Sequence, residues 1–188
     1  LKLSVKGLRG GHSGMEIHEG RGNANKIISR VLVPIFRDFG GKLVSIEGGT
    51  LRNAIPREAF AVIAVPASEV DAVKGLVEKI DRDVMAEKGS IDPKVKISVE
   101  PASADKVMAG DIALRLARAL PACPHDVERM STDMPGLVET SNNLAIVKSE
   151  NGEINVKCLV RSSVDTAKVN MADAFRDIFE LAGATVVF

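Results

Sequence analysis

The chain has 188 residues, 45% of them hydrophobic, with Lys+Arg and Asp+Glu balanced at 25 each. That supports a real core in one large domain or two small fused ones. The charge balance argues against nucleic acid or an anionic membrane as the main partner, because both select a basic excess. There is no Trp or Tyr and only six Phe, which leaves little for stacking bases or sugars.

Lys2 to Lys6 alternates polar and apolar residues and predicts a strand, followed by a glycine-rich loop from Gly7 to Gly22. A helix is expected from about Asn23, since Ile27, Ile28, Val31, Leu32, Ile35, Phe36 and Phe39 recur with helical period. Pro34 falls inside that pattern and is expected to kink it, and Gly40-Gly41 ends it. Strands are predicted over Lys42–Glu47 and Glu58–Val65, separated by the connector Gly48 to Pro56. Ser68 is the expected cap of a second helix, with Asp71 in its first turn, a buried stripe of Val70, Val73, Leu76, Val77, Ile80 and Val84, and a stop at Gly89. Val95–Val99 is the next strand. The order strand, helix, strand, strand, helix, strand is the ferredoxin-like split βαβ plan within the α+β class, one antiparallel sheet with helices on one face.

The second half predicts a helix opening at Ser103 with Val107, Ile112, Leu116 and Leu120 inward, and then a Pro-rich loop from Pro121 to Gly136. Strands about Leu137–Lys148 and Glu153–Ser162 flank Asn151-Gly152, a strong hairpin signal. Asp165 and Thr166 open a last helix, with Val169, Phe175, Ile178 and Phe179 inward and Gly183 at its end, before a strand-like run Ala184–Phe188. The element order nearly repeats, so an internal duplication is expected, with sub-repeats of about 1–101 and 102–188. Leu1 and Phe188 both abut strand-like runs, so the ends read as cuts in a longer chain. The longest apolar run, Ala59 to Ala67, is far short of a membrane span. Cys123 and Cys158 match no metal-ligand spacing. Without a signal peptide, the expectation is a reduced pair in a cytoplasmic protein.

His12 is the sharpest candidate for chemistry. Gly10, Gly11 and Gly14 surround it and allow a backbone to approach a ligand closely. Such a loop can offer an imidazole to a developing oxyanion. A turn histidine held by its neighbours and a glycine-rich anion nest are the competing readings. His18 does not complete a His-Glu-x-x-His motif and reads as a surface or loop-bracing residue, and His125, beside Asp126, reads as solvated. Three histidines and two separated cysteines make no visible metal cluster. Asn53 carries an amide that can donate and accept at once, which suits either peptide-backbone recognition or an ordinary turn. Arg161 ends a strand among apolar neighbours, where its fork needs a carboxylate, either a substrate's or a salt-bridge partner's.

Lys6 to Gly14, Glu16-Ile17-His18 and Gly22 to Lys26 resemble the start of the lid domain of bacterial aminoacyl-histidine dipeptidases, also called peptidase D or Xaa-His dipeptidase. Gly48 to Ala61, Gly136 to Ser141 and Cys158 to Ser162 extend the resemblance in order along nearly the whole chain, most weakly between Glu87 and Pro135. It implies a lid inserted into a separate catalytic domain of the same polypeptide. That domain would hold two zinc ions, none being expected in this fragment, and the fragment alone would be inactive. It further implies that His12 steadies an oxyanion, Asn53 lies near the bound peptide and Arg161 takes the C-terminal carboxylate of a dipeptide. In dimeric relatives of the wider superfamily, the histidine and asparagine come from the partner's lid and the arginine from the enzyme's own. Here Pro66 stands roughly where a first-half arginine would fall, so one doubled lid would do the work of two, with homodimerisation left open. No role is implied for Asn142-Asn143. The alternatives are a ferredoxin-like small-molecule binding module and a dimerisation module without catalysis.

Overall fold

The computed structural model describes residues 1–108 and 110–188. In chain order the elements are β1 (Lys2–Lys6), β2 (Gly11–His12), α1 (Ala24–Asp38), β3 (Lys42–Gly48), β4 (Ala54–Ile55), β5 (Ala59–Ala64), α2 (Val70–Lys88) and β6 (Lys96–Glu100). They continue with α3 (Gly110–Ala122), β7 (Asp126–Met130), β8 (Val138–Glu150), β9 (Glu153–Ser162) and α4 (Asp165–Leu181). The fold is α+β. Seven strands form one antiparallel sheet in the order β6-β1-β5-β3-β8-β7, with β9 also paired to β8, while β2 and β4 make a separate two-residue ladder. One continuous apolar core draws on all four helices and the sheet, from Leu3 and Val5 through Ile28 and Ile35 to Phe175 and Phe179. None of the described helices is long and apolar enough to cross a membrane.

The first hundred residues keep the expected order once the two-residue strands are set aside, but the topology does not reproduce the expected duplication. An additional strand, β7, forms inside the predicted Pro-rich loop. It runs along the sheet's rim with Glu128, Arg129 and Met130 exposed, so it carries no apolar alternation to announce it. The run 184–188 is irregular instead of a strand; Phe188 is exposed beneath the Arg176 guanidinium, 4.5 Å from its ring centre. An isolated segment becomes a strand only by pairing, and no described strand pairs with it.

The helices correct several expected faces. Residues 101–108 are irregular, α3 is described from Gly110, and Ala109 lies outside the described residues. Val107 and Ile112 are exposed, and the buried side of α3 is Ala113, Ala117 and Leu120. Small side chains let α3 lie close to its neighbours, and a stripe chosen by large apolar residues misses that phase. Val169 on α4 is likewise exposed, the buried set being Met171, Phe175 and Phe179. Ser68 lies in a 3-10 turn, Ala67–Glu69, and its hydroxyl faces the Glu69 carboxylate instead of capping α2.

A knot of asparagines at the start of α1 joins the two parts of the chain. Asn23 is the cap: its Oδ1 accepts from the N–H groups of Asn25 at 2.9 Å and Lys26 at 3.3 Å. Its Nδ2 donates to the Leu144 carbonyl at 2.9 Å. The fully buried Asn25 spreads its amide hydrogens over the carbonyls of Gly48, Leu144 and Ala145, each at 3.4 Å. Those β8 carbonyls need outside donors because the β8–β9 register shifts between Leu144 and Ile146. The hairpin closes where predicted, with Asn151 and Gly152 at φ 53° and 82°. Replacing Asn23 by Ala removes a cap and the shorter of the two donors to the Leu144 carbonyl, leaving the 3.4 Å contact from Asn25, so Asn23→Ala is expected to cost about 1–3 kcal/mol. The check is urea unfolding, where the midpoint should fall with an unchanged slope.

Candidate functional site

The glycine loop after β1 turns back as β2 and pairs with β4, setting His12 opposite Ala54. The Ser13 N–H donates to the Asn53 carbonyl at 2.8 Å, so the His12 loop and the Asn53 turn are fastened backbone to backbone. Both residues are exposed and line one cleft of about 570 Å³, together with Glu47, Thr50 and Arg57. The His12 ring has a defined tautomer. The Gly14 N–H donates to its Nδ1 at 3.2 Å. A backbone amide can only donate, so Nδ1 is an acceptor and the neutral ring carries its proton on Nε2.

Arg161 reaches the same loop from β9, where it pairs with Ser141 on β8. Its Nη1 donates to the Ser13 hydroxyl at 3.2 Å. Gly14 separates the guanidinium from the imidazole: a Cβ added there would lie 2.9 Å from Arg161 Nε and 3.1 Å from His12 Cε1. Arg161 is half-buried, and among the described residues it forms no salt bridge with Asp or Glu, so the structural ion pair is not the partner of its fork. His12 and Asn53 thus share the cleft, while Arg161 meets His12 across Gly14 without lining that cleft.

Asn143, a residue without an expected role, holds this arrangement. Asn143 is buried on β8 and donates to the carbonyls of Arg52 at 2.9 Å and Ala54 at 2.8 Å, gripping the turn on both sides of Asn53. Asparagine is depleted in strands, so two in succession inside a long strand pattern was the available signal. His125 is not solvated. Its Nδ1 takes the Asn23 amide at 3.3 Å and the Leu144 N–H at 3.4 Å. Burial first, and the Lys26 ammonium second, lower its pKa to about 4. His18 is exposed on a 3-10 turn, Ile17–Glu19, anchored by buried Ile17.

Cys123 and Cys158, remote in sequence, are free thiols 3.8 Å apart. Hydrogen bonding to Cys158, then burial, pushes the Cys123 thiol up. Among the described residues no three His, Cys, Asp or Glu come together as a metal ion requires.

Residues 3–92 match the peptidase dimerisation domain family. Over 98% of its length the chain is 40% identical to the cytosol non-specific dipeptidase of Escherichia coli, of which it spans 38%. It superposes on the crystal structure of aminoacylhistidine dipeptidase from Vibrio alginolyticus with a TM-score of 0.94, at 40% identity, covering 98% of this chain and 38% of that one. The chain is therefore a domain homologous to these bacterial dipeptidases.

The half-buried His125 makes stability depend on pH. With a pKa of about 4 in the folded chain and 6.5 as the ordinary value, the unfolded chain binds the extra proton between these limits. The stabilisation is complete above 6.5 and is lost as pH falls toward 4. His125→Gln, which cannot titrate, is expected to remove on the order of 1–3 kcal/mol of this acid sensitivity, measured as unfolding free energy at pH 7 and pH 4.

Proposed function

We propose that this chain is the lid of a dipeptidase whose remaining parts lie elsewhere in a longer polypeptide. In this reading it supplies His12, Asn53 and Arg161 to a bound dipeptide, including Xaa-His dipeptides, in a cytoplasmic setting. The observation that carries the reading is the convergence of three residues from three separate segments on the His12–Gly14 loop, beside an open cleft. The homology to dipeptidases of which the chain covers 38% supports it.

Each role follows from donor chemistry. With Nδ1 taken by the Gly14 N–H, the exposed His12 ring has Nε2–H as its free donor, suited to the oxygen of a scissile carbonyl as it gains charge. The Asn53 amide can both donate to and accept from a peptide group. The Arg161 fork matches a C-terminal carboxylate bidentately. The two zinc ions implied by the resemblance do not fit this chain's own donors. Its histidines lie apart, and Nδ1 of both His12 and His125 already accepts from an amide. Zinc ligands are assigned to the rest of the polypeptide, and no step is drawn through the metal.

Residues 1–101 supply His12 from the separate β2–β4 ladder and Asn53 from the turn beside it, and residues 102–188 supply Arg161 from β9 of the seven-stranded sheet. This supports a single lid, read as two sub-units, that completes its own set of contacts. Association with a second copy is a further reading, favoured by the dimerisation-domain match, and light scattering on the full-length protein addresses it.

In the full-length enzyme, His12→Ala is expected to lower kcat by about 100–1,000-fold, the usual cost of one oxyanion donor. A loss under about threefold on dipeptide hydrolysis would count against the role. Mixing His12→Ala subunits with Arg161→Ala subunits is expected to restore nothing; recovery of activity would show that the two groups act from different chains.

A further inference from the structure

The loop that presents His12 is held by a charged clamp. Arg21 lies just before the α1 cap, and its side chain is only 10% exposed. Its Nη1 donates to the Gly10 carbonyl at 2.5 Å, and its Nη2 donates to Glu16 Oε1 at 2.7 Å. Nε and Nη2 also take Glu19 Oε2, at 2.9 and 2.7 Å. The other Glu16 oxygen accepts the His12 N–H at 2.6 Å. One ion pair therefore grips the carbonyl two residues before the imidazole and the amide of the imidazole's own residue.

Gly11, between those two points, is what allows the clamp to close. Its φ is +146°, and a Cβ there would lie 2.3 Å from Arg21 Nη1 and 2.6 Å from Glu16 Oε2. The His12 amide first, and then Arg21 against some desolvation, hold the Glu16 carboxyl below the ordinary carboxylate range. The two carboxylates of the clamp are 33% and 40% exposed, which discounts the stability the ion pairs contribute, and what the clamp fixes is the geometry of the loop.

Resting on the function proposed above, we infer that Glu16 and Arg21 are positioning residues, which set where the His12 imidazole stands by fixing the backbone on either side of Gly11. Neither touches substrate in this account; both act through His12. Gln at position 16 loses the negative charge and turns one of the two carboxylate positions, each of which accepts an N–H, into an NH2 donor facing either the His12 N–H or Arg21. Lys at position 21 keeps the charge but not the fork that spans Gly10, Glu16 and Glu19.

The test is a double-mutant cycle in the full-length enzyme, with an aminoacyl-histidine dipeptide as substrate and kcat and KM measured separately. Glu16→Gln and Arg21→Lys are each placed in the wild-type and in the His12→Ala background. In the wild-type background kcat should fall about 10- to 100-fold, the scale of a small misplacement, with KM within about twofold. In the His12→Ala background the same substitutions should change kcat by less than about twofold. Equal losses in both backgrounds, a loss confined to KM, or no loss in the wild type would overturn the inference. If His12→Ala itself leaves kcat unchanged, the proposed function has failed instead. The clamp is then judged by the 15N shifts of the His12 ring: a shift between wild type and Glu16→Gln supports it, and identical shifts overturn it.

Discussion

A β-strand cannot bulge inside a protein unless something answers the carbonyls it turns out of register, and here two asparagines at the head of one helix do so. Asn23 and Asn25 deliver amide hydrogens to Leu144 and Ala145, and Asn25 also reaches Gly48 at the end of β3. A buried carbonyl left without a donor costs about 1–3 kcal/mol, so the bulge and the helix start depend on each other. Because the donors and acceptors come from opposite parts of the chain, this contact also fixes how β8 lies against β3.

The geometry around His12 follows from that placement. With β8 set, Asn143 falls where it can hold the carbonyls of Arg52 and Ala54, which fixes the turn bearing Asn53. The β4 residues of that turn carry the short ladder to β2, and with it His12. On the other edge of β8, the pairing of Ser141 with Arg161 brings the guanidinium to Ser13. Three groups from distant segments meet because one strand serves as their common ruler.

His125 shows the same economy. Its unprotonated Nδ1 accepts from the Asn23 side chain and from the Leu144 backbone, so it joins the polar knot as an acceptor, a state that a charged imidazole cannot adopt. The end of α3 and the turn after it are further tied down by Lys26, whose ammonium donates to the Pro121 carbonyl at 2.7 Å and to that of Cys123. A segment that reads as a polar loop is in this way drawn into the body of the domain and leads directly into β7.

Short-range chemistry accounts for what the sequence determined alone. The periodic stripe of α1, the alternation in β1 and β5, and the Asn151-Gly152 hairpin each rest on neighbours a few residues apart, and each lies where it was expected. The resemblance of the glycine loop, the Asn53 connector and the Arg161 strand pointed to a dipeptidase domain, and the homology agrees. Tertiary structure alone decided the rest. The rim strand β7 has no apolar face, the buried side of α3 is made largely of alanines, and β2 and β4 are two residues each. None of these leaves a periodic trace. The burial of His125, the meeting of Cys123 with Cys158, and the grip of Asn143 join residues remote in sequence, and such contacts exist only once long-range strand pairing has been set.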